Sequence, residues 1–158
     1  MAEFQTIEIM KPLTDFLKTC PFLDKYHVSM ANIDTQKFST DDEERSALEF
    51  TGSTQTDRTT YVNGDVSVVR QANFHLLLKR LSGDNEYRTE TSEFLHNFER
   101  WIDWCEAYGL TPNFGDDPIT EKMWADNGVY IDEWEDARDV NLYMIQLHIL
   151  YTENFKEE

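Results

Sequence analysis

The chain has no run of about eighteen apolar residues, so a helical membrane span is not expected. Its opening, MAEFQTIEIM, lacks a basic region followed by an apolar stretch, which argues against a signal peptide. Only two cysteines occur, Cys20 and Cys105; they match no metal-ligand spacing and read as quiet core residues compatible with a reducing cytosol. Catalytic fingerprints are missing as well: there is no GxGxxG, no Walker lysine loop, no GxSxG and no HExxH. The four histidines are scattered, with no CxxC or HxxxH pairing, so no zinc site is expected. No spacing selects an acid–base pair among the many carboxylates. The expectation is therefore a chain that is not an enzyme, with no cofactor, no metal and no catalytic residues.

Bases are the last shortage. Lys and Arg total 14 against 31 acids, a formal charge of −17. Residues 1–83 hold nine bases and twelve acids, whereas 84–158 hold five bases and nineteen acids. Such a chain repels phosphate, which disfavours conventional nucleic-acid binding. The excess reads either as solubilising surface or as a wall that must not stick to DNA.

What is present is enough for one domain: 158 residues at 40% apolar content support a core without staples. Ile7, Met10, Leu13, Phe16, Leu17 and Cys20 predict a helix over about 3–20, kinked at Pro12 or restarted by it, and stopped by Pro21. Tyr26, Val28 and Met30 alternate with polar or small residues, predicting a first strand over 26–34 in which His27 is an ordinary member. The run Asp41-Asp42-Glu43-Glu44 lacks the spacing and turn glycine of a calcium loop and reads as solvated. Ala47–Thr51 is a second strand, and the polar stretch 52–60 reads as a flexible loop.

The clearest local signal is TTYVNGDVSVVRQANFHLLLKRL. Asn63-Gly64 predicts a hairpin turn with positive φ at both positions, returning into a long strand over 66–80. Val66, Val68, Ala72, Phe74, Leu76 and Leu78 share one face, with Arg70 as the exception; His75 lies on the wetter face. A strand of this length extends beyond a compact domain or pairs with something outside it. An amphipathic helix is expected over about 89–108, capped by Thr91 or Ser92. Its stripe holds Phe94, Leu95, Phe98, Trp101, Ile102, Cys105 and Tyr108, and Gly109 stops it. His96, Trp101 and Trp104 read as packing residues. Residues 110–139 read as an irregular acidic segment with large aromatics, either an interaction surface or a pinned loop, with a short strand at 129–134. Val140–Phe155 is a long strand, apolar on one parity and half apolar on the other, hence central or covered by a subunit.

The fold class expected is α+β: a largely antiparallel sheet of four to five strands with two amphipathic helices packed on it. Four stretches, LKTCPFLD, YVNGD with its return strand, FLHNFERWIDW and NGVYIDEWEDARDVNLYMIQLHILYTENF, carry a resemblance over roughly 7–155. Together they resemble the tail-completion proteins of tailed phages and phage-tail-like particles, also called tail terminators or minor capsid proteins. The resemblance implies a homo-oligomeric ring, usually hexameric, at the head-proximal end of the tail tube. Its partners would be the tail tube protein and the head–tail connector or neck protein. DNA would pass through the lumen without specific binding, and the location would be the virion tail, after assembly in the cytoplasm.

On this reading, ring contacts are expected on the polar face of 66–80, in 35–46 and 52–60, and in the segment 112–136. The interface residues put forward are Arg70, Gln71 and Asn73 from the long strand, and Trp124, Tyr130 and Trp134 by exposed-aromatic logic. A second reading is an acidic inhibitor mimicking DNA, its carboxylates presented by Asp132, Glu133, Glu135, Asp136 and Asp139. Salt separates the two, because a mimic binds basic proteins steeply as salt falls.

Overall fold

The alternating patterns around the NG turn and at the C-terminus become the two central strands in the computed structural model, which describes residues 3–30, 45–81, 85–115, 118–133 and 140–156. The elements are α1 (Met10–Leu17), β1 (Arg45–Thr60), β2 (Val66–Leu81), α2 (Asn85–Ala107), β3 (Ile119–Glu133) and β4 (Val140–Phe155). The sheet has four strands in the order β1-β2-β4-β3, every neighbouring pair antiparallel. The class is therefore α+β, with both helices on one face. Strands of fifteen or sixteen residues run for roughly 50 Å at about 3.3 Å per residue, well beyond the usual five or six residues.

β2 and β4 pair without a break, from Val66↔Phe155 to Leu81↔Val140. Their helix-facing rows, Val68, Ala72, Phe74, Leu76 and Leu78 with Tyr143, Ile145, Leu147, Ile149 and Tyr151, are buried. Leu13 and Leu17 of α1 and Phe94, Leu95, Phe98, Trp101 and Ile102 of α2 close over them. Phe16 stacks on Trp101 at 5.0 Å between ring centroids, and Phe22 meets Phe94 edge-on at 5.8 Å, tying the N-terminal segment to α2.

Several boundaries differ from the sequence-based expectation. α1 begins at Met10, and Pro12 falls in its first turn. The first intrahelical bond there is from Leu13 N–H to the Ile9 carbonyl, so Pro12 is never asked to donate. The predicted first strand is absent over its described part, 26–30; residues 31–34 lie outside the described residues. Instead, 22–26 make one helical turn closed by His27 at φ +54°, with Val28 N–H bonded to the Leu23 carbonyl and His27 N–H to Asp24. The same double bond, Leu110 to Cys105 and Gly109 to Glu106, ends α2 with Gly109 at φ +71°, as expected. Tyr26, Val28 and Met30 do alternate into the core, so their periodicity reports burial and not ladder pairing.

The stretch 52–60 is not a loop: it continues β1, with register shifts at Phe50/Gly52 and Gln55/Asp57. Its polarity reflects exposure on both faces. The NG turn also differs. Gly64 alone is left-handed (φ +95°), Gly64 N–H bonds the Tyr61 carbonyl, and Tyr61 N–H bonds Asp65, a three-residue loop with a glycine bulge. Asn63 serves through its side chain, accepting from Asp65 N–H at 3.0 Å. α2 starts at Asn85, so Thr91, fully buried, is an interior residue and not a cap. Half of the expected irregular segment is β3, whose three register shifts erase the alternation that would have revealed it.

One buried cation holds the N-terminal turn to the sheet. Arg80, only 2% exposed, donates from Nη1 to the His27 carbonyl at 2.7 Å and from Nη2 to the Tyr26 carbonyl at 3.0 Å. Replacing Arg80 with Ala leaves two inward-facing carbonyls without these donors and should lower unfolding stability by about 3 kcal/mol. Chemical denaturation measures this; an unchanged midpoint would contradict the role. A second expectation concerns alkaline pH. Burial pushes the Cys20 thiol from 9.0 up to about 11, and it raises Cys105 and Tyr151 in the same direction. The unfolded chain then ionises first. Stability from Cys20 should be intact below pH 9 and fall by about 2 kcal/mol as pH rises toward 11, read from denaturation midpoints against pH.

Candidate protein–protein interface

The alternation that buries one face of β2 and β4 turns the other away from the helices. Because paired residues share a face, the register assembles this surface row by row. Thr54, Gln71, Leu150 and Lys122 form one row; Gly52, Asn73, His148 and Trp124 form the next; Glu49, His75, Gln146 and Asp126 form the third. Leu77, Met144 and Val129 follow. Ala47, in the row of Leu77, and Lys79, in the row beyond it, are fully buried.

The middle rows form a connected polar cluster. Gln71 Nε2 donates to Asn73 Oδ1 at 2.9 Å, and His148 Nδ1 lies 2.6 Å from the same oxygen. His148 Nε2 lies 3.0 Å from Asp126 Oδ1. Two acceptor oxygens on the two ring nitrogens meet the hydrogen-bonding demand of an imidazolium; turning the Asn73 and Gln71 amides over suits the neutral ring equally. Trp124 stacks on the His148 ring at 5.0 Å and 26°, and Lys122 Nζ sits 5.5 Å from the Trp124 centroid. Asn127, left-handed at φ +56° in the widest bulge of β3, donates to Gln146 Oε1 at 3.2 Å. The His148 side chain is 15% exposed and that of Asp126 46%, so the cluster is anchored at its centre and wet at its edge.

Of the residues put forward from sequence, Gln71, Asn73 and Trp124 come together here, with His148 between them. Arg70 and Tyr130 do not. Arg70 pairs with Tyr151 on the helix-facing side, so strand parity separates it from Gln71 and Asn73. Tyr130 also lies on that side, half-exposed, its ring edge-on to Tyr143 at 5.5 Å. Trp134 lies outside the described residues, as do 35–44, the Asp41–Glu44 run, and Glu135, Asp136 and Asp139 of the acidic run. His148 and Asp126 were missed. Their signal exists only once β2, β4 and β3 are aligned, because each is unremarkable within its own strand.

No family model matches this chain, and no curated protein matches it. Among the described residues no group of three or more His, Cys, Asp or Glu is placed to hold a metal ion, and no helix is long and apolar enough to cross a membrane.

The cluster makes a stability prediction. Asn73→Leu removes the shared acceptor and should cost about 1 kcal/mol, as should His148→Leu. The double variant should cost less than the sum by about 0.5–1 kcal/mol, since either change alone already breaks the chain. Strict additivity in denaturation would show that the contacts are independent.

Proposed function

We propose that the chain is a structural assembly protein that forms a ring at the head-proximal end of a phage or phage-like tail tube. There it ends tube growth and joins the tail to the head connector. The observation that carries this is β1: from Glu49 to Thr60 none of its residues is buried, although the strand remains hydrogen-bonded to β2 throughout. Twelve residues of edge strand of which none is buried add little to the stability of an isolated domain. A ring supplies the missing neighbours, because a closed assembly covers every equivalent edge. The face carrying Gln71, Asn73, His148 and Trp124 is a second surface of the same kind, with polar groups held in fixed positions around a stacked aromatic. The acid excess, concentrated in 84–158, suits a lumen past which DNA slides without binding. The resemblance in the hairpin, the tryptophan helix and the C-terminal strand points the same way.

The test is the native mass by light scattering, followed by negative-stain images with and without tail tubes. A closed ring of about six copies of the 18.7 kDa chain, alone or on tube ends, is expected. A chain that stays monomeric, ignores tail tubes and binds basic DNA-binding proteins steeply with falling salt would instead favour the charge-mimic inhibitor. Changing Trp124, Tyr130 and Trp134 together to Ala should weaken assembly while the monomer keeps its circular dichroism. A normally assembled ring after all three changes would remove those aromatics from the interface.

A further inference from the structure

Acids outnumber bases by 31 to 14 in this chain, yet one groove beside α2 is rimmed by two bases and, among the described residues, lined by no acid. Phe22, Tyr26, Trp101 and Trp104 form its walls, with Lys25 and Arg100 at the rim and an open volume of about 340 Å³. Both cations are exposed. Neither forms an ion pair with a carboxylate among the described residues: Lys25 Nζ lies 5.3 Å from the centroid of the Tyr26 ring, and Arg100 bonds to Asn97. The groove is held in shape. Arg100 Nη1 donates to Asn97 Oδ1 at 3.0 Å, Asn97 Nδ2 donates to the Tyr26 hydroxyl at 3.1 Å, and Phe22 meets Tyr26 edge-on at 5.9 Å. Arg100 keeps further guanidinium N–H groups for a carboxylate. Trp104 is 52% exposed, so one wall is open to a ligand's side chain.

Aromatic walls bury an apolar side chain, while a guanidinium with spare N–H groups and an ammonium take carboxylates. The charge of the remaining chain limits how large the ligand can be. At physiological salt, exposed charges more than about 8 Å apart are largely screened, so a short segment meets mainly the two cations. A DNA strand or an anionic membrane would extend over the acidic remainder of the chain and be repelled by it. The volume agrees, since about 340 Å³ lies at the small end of ligand pockets and suits a few residues, not a folded surface.

We infer that the Lys25/Arg100 groove binds a short acidic segment of a partner protein. One large apolar side chain of the segment lies against the aromatic walls, and flanking carboxylates meet Lys25 and Arg100. The isolated chain binds such a segment whether or not it closes into a ring, so this contact does not depend on the ring reading.

The probe is a fluorescein-labelled hexapeptide with blocked ends, Leu-Phe flanked on each side by two Glu, titrated with the full chain and read by fluorescence anisotropy. Saturable binding with a Kd below about 1 mM is expected, weakening as salt rises. Lys25→Gln/Arg100→Gln should weaken it at least about tenfold, and Trp104→Ala about threefold or more, with circular dichroism melts confirming that both variants fold. The same peptide with Gln for every Glu should bind the unchanged chain at least about tenfold more weakly, a comparison that needs no variant to fold. Absence of saturable binding overturns the proposal. So do folded variants that bind as the wild type does, or a Gln peptide that binds as tightly, which would leave the groove merely apolar. A wild-type chain that ignores the peptide but binds phosphatidylglycerol vesicles or a DNA oligonucleotide through Lys25 and Arg100 would give the cations to phosphate and overturn the peptide assignment.

Discussion

The unbroken β2–β4 ladder is the constraint on which everything else depends. Sixteen antiparallel pairs from Val66↔Phe155 to Leu81↔Val140 contain no register shift, while both outer pairings contain several. A slip of one residue would carry Phe74, Leu76, Ile145 and Leu147 out of the core and put Asn73, His75, Gln146 and His148 into it. That penalty locks the register. With it locked, the helices have one apolar face to cover, and the polar cluster is assembled on the other without further instruction.

The outer strands could then become irregular at little cost. β3 bulges three times, and the widest bulge sets Gly128 against Leu95 and turns Asn127 toward Gln146. β1 bulges twice where it leaves the helical layer. Bulges bend and twist an edge, which discourages indiscriminate strand addition.

Legibility from sequence followed burial. Where one face is dry, as in β2 and β4, period-two alternation located the strands and their buried faces. Where the helix is amphipathic and ends in Gly109, its stripe from Phe94 to Cys105 and its stop were readable, but Tyr108 is exposed and the start lay about two turns earlier than the cap residues suggested. Where a strand is wet on both faces, as in β1 beyond Leu48, its Thr- and Ser-rich chain looks the same as a loop. Bulges did the same to β3 by shifting the parity midway. The Tyr26–Met30 segment erred in the other direction: its alternation is real, but Arg80 satisfies carbonyls there that a ladder would otherwise serve.

The sequence by itself determined the class of the fold, the central hairpin strand, the tryptophan helix and the strongly acidic balance, because these follow from local periodicity and from counting. It also nominated Gln71, Asn73 and Trp124 as surface residues. Tertiary structure alone decided that these three meet around His148 and Asp126, and that Arg70 and Tyr130 lie on the opposite face. Each of those facts depends on which residues stand opposite one another across strands or helices separated by dozens of residues in the chain. Register, which the hydrophobic core sets only when the whole sheet forms, is what brings them together.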